Sequence, residues 1–397
     1  MTRPIEHARM NFSSQQLHKI LLLSVGLSFL FSLKNLFQPL TGDEVEYREL
    51  AENLLTQGRY FLYGQPSTYA PLVPFLIGFC AIKSFPAVGY AFAKLLNWVF
   101  VLGGLYFANQ TLKYTGIETR VRYILLLLTA TNTHLVVWSS MLYPEALLIG
   151  LVWLFLFLVA RAIEAPRSLN YFNLALVFSF MVIGKYVYAV FGVFLVWVLW
   201  EDIRANGRLF WEKRLLARRV LMGLAGLLPL LFWVKYISSI ELAHTLSDSY
   251  FQRFSGGSFW SRIQMGLGLV PMDNGRFNGI PALISLFIPQ TGLREWFSSI
   301  AILVAVLGGL FTVQAKKADN LLRFALLLLM LGLVYAATGF SRYWMPLLPV
   351  FWLGIYYLYR KFKLADTYFI YFGISFSLVY LLNALRLNIQ HYLPLFS

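Results

Sequence analysis

Hydrophobic positions in this chain come in long continuous runs. They do not alternate, and they do not recur on one helical face as they do in a soluble domain. A helix that crosses a bilayer needs about 20 consecutive apolar residues. Eleven segments reach or approach that length: 17–37, 87–110, 121–141, 145–163, 170–184, 186–200, 220–238, 295–314, 321–339, 343–359 and 367–385. The pair 170–184 and 186–200 is short for two spans. The first segment has no small-residue cleavage site and charges follow it directly, so it is expected to stay as a helix. The expected fold is all-α. It is a polytopic membrane protein of about 11 transmembrane helices forming one unit over 1–397, with long loops at 38–86 and 239–294 on one side.

The first long loop has a different period. Tyr47, Leu50, Ala51, Leu54 and Leu55 fall at i, i+3, i+4, i+7 and i+8, while Arg48, Glu49, Glu52 and Asn53 occupy the opposite face. This predicts an amphipathic helix lying on the membrane surface, with Gly58 as its stop. The apolar stretch 71–84 is short and broken by prolines. It reads as interfacial or re-entrant, because a span would need more residues.

Composition supports the same class. The chain of 397 residues is 59% hydrophobic and 13% charged, against about half and about a quarter in soluble domains. A single cysteine, Cys80, excludes an internal disulfide and a cysteine metal cluster. The net charge of +15 would suggest nucleic acid in a soluble protein. Here 20 of the 33 basic residues fall in alternate short connections, among them Arg3, Arg9, Lys113, Arg120, Arg161, Arg167, Lys316 and Arg360. That is the positive-inside pattern, with a cytoplasmic N-terminus. It explains the charge without a nucleic-acid partner. The basic stretch 204–219 has a second reading as an anionic-lipid site.

Under this topology several polar residues fall at the outer ends of spans. Asp43 and Glu44 open the surface helix. Thr41-Gly-Asp-Glu has capping-box spacing, which explains Glu44 as a cap and Asp43 only as a dipole partner. Glu145 follows Tyr143-Pro144 at a helix start, where a carboxylate is either a cap or a functional group. Lys185 is either a snorkelling lysine or a phosphate contact. Arg342 is either an interfacial anchor beside Tyr343 and Trp344, or a side chain shaped to hold a phosphate by two hydrogen bonds. His134 reads as an interior, hydrogen-bonded histidine. Asp273 and Arg276 read as part of a turn. The five histidines show no metal-ligand spacing. Asp43, Glu145, Lys185 and Arg342 thus lie at one membrane level, as in an outward-facing cavity.

The chain resembles the GT-C class of membrane glycosyltransferases, in the branch of protein O-mannosyltransferases and the lipid A aminoarabinose transferase. The resemblance runs through Gly42-Asp-Glu-Val-Glu-Tyr-Arg-Glu-Leu-Ala-Glu-Asn-Leu-Leu, Gly58-Arg-Tyr-Phe, Tyr69-Ala-Pro-Leu-Val-Pro, Tyr143-Pro-Glu, Gly184-Lys and Ser341-Arg-Tyr-Trp-Met-Pro-Leu-Leu-Pro. It implies inverting transfer of a sugar from a polyprenyl-phosphate donor to a glycolipid, glycan or protein on the outer face. It also implies that Asp43, with Glu44 beside it, is the catalytic acidic pair. Glu145 would be a second acidic position, and Lys185 and Arg342 would contact the donor phosphate. A divalent ion held by Asp43 or Glu145 is compatible with this pattern, though not required by it. Ala70 stands where some relatives carry a basic residue. The competing class is a transporter or flippase of lipid-linked saccharides, which commonly shows paired repeats and charges near the midplane. A third reading is a non-catalytic assembly subunit in which Asp43 and Glu145 only cap helices.

Overall fold

The computed structural model describes residues 12–36, 38–80, 86–165, 170–243, 258–271, 280–287, 296–312 and 316–392. Arg3, Arg9, Arg167 and the expected turn at Asp273 and Arg276 lie outside the described residues. In chain order the helices are α1 (Ser14–Ser32), α2 (Asp43–Gln57), α3 (Leu72–Cys80), α4 (Pro86–Thr115), α5 (Thr119–Ala130) and α6 (Thr133–Trp138). Next come α7 (Pro144–Glu164), α8 (Tyr171–Gly184), α9 (Gly192–Asn206), α10 (Lys213–Ala243), α11 (Phe259–Gly266) and α12 (Ala282–Phe287). The remainder are α13 (Trp296–Thr312), α14 (Lys317–Ala336), α15 (Ser341–Trp344), α16 (Leu348–Lys361) and α17 (Asp366–Tyr392).

Every one of the eleven apolar segments carries helix. Among the described residues, seven helices are single runs long and apolar enough to cross a membrane, with two shorter apolar helices at Tyr171–Gly184 and Ser298–Thr312. The count falls below eleven partly because two expected spans are broken. Segment 121–141 divides into α5 and α6, since Asn132 leaves the helix and its side chain caps His134 N–H. Segment 343–359 divides into α15 and α16, with Pro346 and Pro349 at successive helix starts. Proline lacks the N–H that an uninterrupted helix would need there.

The hub is α7. Of its most apolar stretch 78% is buried, against 11% for α10, which lies at the edge of the bundle. With no hydrophobic drive between helices in lipid, close packing needs small residues at the crossing. Gly104 on α4 faces Ile149, and Gly150 on α7 faces the Phe100 carbonyl. A Cβ at Gly150 would stand 2.7 Å from that oxygen. Gly309 and Gly354 close the α13–α16 contact in the same way.

The first long loop contains one departure from the all-α expectation. Strands β1 (Phe61–Leu62) and β2 (Gln65–Pro66) form an antiparallel hairpin. Its turn residues Tyr63 and Gly64 both have positive φ, +51° and +76°. That is the geometry a two-residue hairpin needs, though it is unusual for tyrosine. The Tyr63 N–H donates to Glu49 at 2.7 Å and its hydroxyl to Glu46 at 3.3 Å. These bonds hold the tip against the polar face of α2. On the apolar face Leu50 and Ala51 are buried, in two separate clusters, while Leu55 is exposed. The helix ends at Gly58 with left-handed φ, as expected. The nine residues of α3 are too few to span.

The described parts of 239–294 are more than loop. All of α12 is buried. Asn132 donates to the Leu286 carbonyl at 2.8 Å, Tyr380 to that of Phe287 at 2.7 Å, and His134 Nε2 lies 2.8 Å from the Ser285 carbonyl. Within the basic stretch 204–219, Arg219 turns inward to Asp202 at 3.2 Å.

Candidate active site

Four chain segments deliver the charged residues to one end of the bundle. The start of α2 carries Asp43. The residue before it, Gly42, has φ +57° and ψ −134°, a conformation that strongly favours glycine. A Cβ there would also stand 3.0 Å from the Tyr143 hydroxyl. Gly42, and not Thr41, is therefore the residue that leads into the helix. The start of α7 carries Glu145, with Pro144 in the first turn. Lys185 ends α8 in extended backbone, and Arg342 lies in α15.

These residues form one chain of opposite charges. Lys185 Nζ is 2.5 Å from Glu145 Oε1. Arg342 Nε is 3.4 Å from the same oxygen, and its Nη2 is 3.3 Å from Asp43 Oδ2. Side-chain exposure is lowest at Glu145, 1%, intermediate at its two cations, 13% for Lys185 and 14% for Arg342, and highest at Asp43, 43%. The buried carboxylate thus has two cations, which offsets the cost of removing its charge from water. It also stands at the positive end of α7.

Aromatic rings enclose the cations. The Arg342 guanidinium carbon lies 4.9 Å from the Tyr143 ring centre, 5.3 Å from Phe340, 5.4 Å from Trp138 and 5.5 Å from Tyr343. Lys185 Nζ sits 3.2 Å above Tyr343. Such contacts strengthen as water is excluded. Tyr143, Phe340 and Tyr343 are neighbours of the candidate residues in the chain, but Trp138 joins this cage only through the fold.

Tyr47 was expected only on the apolar face. It lies one helical turn after Asp43, and its ring contacts Tyr143 and Tyr69. Burial, and then the charge of Asp43, push its hydroxyl well above the usual phenol range, so it stays protonated.

Glu44 is placed differently from Asp43. Successive helical residues point about 100° apart. Glu44 Oε2 accepts the Thr41 N–H at 3.1 Å, the reach-back half of the expected box. Its Oε1 accepts the Leu142 N–H at 2.8 Å and lies 3.8 Å from Lys94 Nζ. Glu44 is 1% exposed, so the structure gives it a tethering place.

A divalent ion, which the resemblance allows but does not require, has few ligands here. Among the described residues no three His, Cys, Asp or Glu side chains converge. Asp43 and Glu145 are each already compensated by a cation.

No protein-family model matches this chain, and no curated protein matches it. One solved structure does: the crystal structure of ArnT from Cupriavidus metallidurans bound to undecaprenyl phosphate, at 14% sequence identity and a TM-score of 0.53. The match covers 89% of this chain and 61% of that one, so this chain spans about three fifths of its neighbour's length. The two share a fold, a helical membrane architecture.

Proposed function

We propose that this protein is a membrane glycosyltransferase that moves a sugar from a polyprenyl-phosphate donor to a hydroxyl of a glycolipid, glycan or protein. One observation carries the reading: Asp43, Glu145, Lys185 and Arg342, scattered over 300 positions, meet in a single charge chain on this fold. The likeness to a structure holding undecaprenyl phosphate supports a donor of that chemistry. The positive-inside pattern supports a cytoplasmic N-terminus and a site on the outer face of the cell membrane.

The chemistry follows from the exposure gradient. Asp43 is the most exposed of the four, so it is the one that an incoming hydroxyl can reach. It takes the proton as the hydroxyl oxygen attacks the anomeric carbon from the side opposite the phosphate. The bond from that carbon to the phosphate oxygen breaks, and its electron pair leaves on the phosphate, so the configuration inverts. Lys185 and Arg342 hold the charge that develops there. Glu145 keeps both cations in place. Asp43 is also paired with Arg342. An arriving phosphate competes for that guanidinium and releases the base.

The test is a deletion strain restored with wild type or with Asp43→Asn at equal expression. Its surface glycans and lipid A are compared by mass spectrometry. A product that needs the wild-type chain and is lost with Asp43→Asn supports the reading. A product retained by Asp43→Asn removes Asp43 as the base.

A further inference from the structure

We infer that Lys94 and Glu44 are positioning residues: together they hold Asp43 against the fixed start of α7. This rests on the reading above and extends it to a pair that does not belong to the charge chain. Lys94 lies within α4 and is 2% exposed. Its ammonium donates to the carbonyls of Asn35 at 2.8 Å and Gln38 at 3.3 Å. Both carbonyls belong to the stretch between α1 and α2. Three donors on one flexible stem suit two carbonyls and a carboxylate, which a neutral apolar side chain could not serve.

Glu44 completes the link. Its two oxygens hold the Thr41 N–H, two residues before Asp43, and the Leu142 N–H, three residues before Glu145. One side chain therefore spans the two backbones that carry the carboxylates. Neighbouring bonds fasten the same seam. Asn97, also on α4, donates to the Met141 carbonyl at 2.6 Å, and Asn35 donates to the Val137 carbonyl at 3.2 Å. Glu145, Lys185 and Arg342 are carried by α7, by the end of α8 and by α15, so their mutual geometry does not depend on this tether. Asp43 does depend on it, because α2 is joined to α7 through Glu44.

The prediction separates positioning from folding. Lys94→Met removes the charge and keeps the length of the stem. Glu44→Gln keeps the shape but leaves one oxygen to serve two N–H groups. Each variant is extracted in detergent and its folded fraction taken from gel filtration. Binding is measured with undecaprenyl phosphate, and product per folded molecule by mass spectrometry of the restored strain. The expected result is undecaprenyl phosphate binding within twofold of wild type and at least tenfold less product per folded molecule. Product within twofold of wild type in both variants overturns the inference, as does a tenfold loss of undecaprenyl phosphate binding. If Lys94→Met does not fold, Glu44→Gln decides. Failure of both to fold also overturns it, because the pair is then a folding element. Asp43→Asn is run alongside. If it retains product, the proposed reaction has failed; if it is inactive while both tether variants are active, only this inference has.

Discussion

Asp43 and Arg342 are 299 positions apart in the chain, and their side chains lie 3.3 Å from each other. The contact joins the start of α2 to the short helix α15. It also places the exposed carboxylate beside a cation shared with the buried one. The proposed base and the proposed phosphate ligand are therefore direct partners.

Asp43→Asn separates these two roles. Removing the base should lower product formation by about 10²–10⁴-fold. The same change frees Arg342 from a competing negative charge. Undecaprenyl phosphate should consequently bind as tightly as to wild type or more tightly, as read by titration of the purified variant.

Arg342→Lys keeps the charge and loses the planar fork. The aromatic rings around the guanidinium favour a flat cation, and Lys at this position would reach fewer partners. Hydrogen bonds to charged groups contribute about 1.5–3 kcal/mol. Undecaprenyl phosphate affinity should fall about ten- to a hundredfold, with Asp43 and Glu145 unchanged.

Glu145→Gln tests the centre of the chain. It takes away the carboxylate that Lys185 and Arg342 share in a poorly solvated site, and leaves the half-exposed Asp43 beside Arg342. Breaking a buried pair from one side costs about 3–5 kcal/mol. The melting temperature in detergent should drop clearly below that of wild type. A melting temperature unchanged within error would show that the two cations find other compensation.

Gly150→Leu probes the hub at a distance from the charges. Its side chain would be driven into the Phe100 carbonyl on α4. Overpacking of this kind costs about 1–3 kcal/mol. The variant should melt earlier than wild type, and each folded molecule should still bind undecaprenyl phosphate.

Much of this architecture was legible from run lengths alone. Apolar stretches near 20 residues have little choice but helix, because unsatisfied backbone in lipid is costly. Breaks inside such stretches were harder to read. Asn132 interrupts one through a side-chain cap, which hydrophobicity does not report. The hairpin at Tyr63-Gly64 escaped notice because tyrosine is a poor marker for left-handed backbone. It is held there by Glu46 and Glu49, which lie 17 and 14 residues earlier.

The four charges of the site stood out because charge at the edge of a span is expensive and needs a reason. Lys94 did not stand out. It sits inside an apolar segment, and two of its partners are main-chain carbonyls that leave no trace in residue type. For Glu44 the capping spacing points to the bond with Thr41, but nothing local points to the one with Leu142, 98 positions away.

The same chain of charges has a consequence during synthesis. Ribosomes deliver Asp43 first, then Glu145, then Lys185, and Arg342 only near the end. A nascent protein stopped before position 342 holds two acids and a single ammonium at this site, a net charge of −1. Glu145 has its lysine after 40 further residues, whereas Asp43 waits for 299. Charge balance in this corner of the bilayer is reached only when the last helices are being threaded into place.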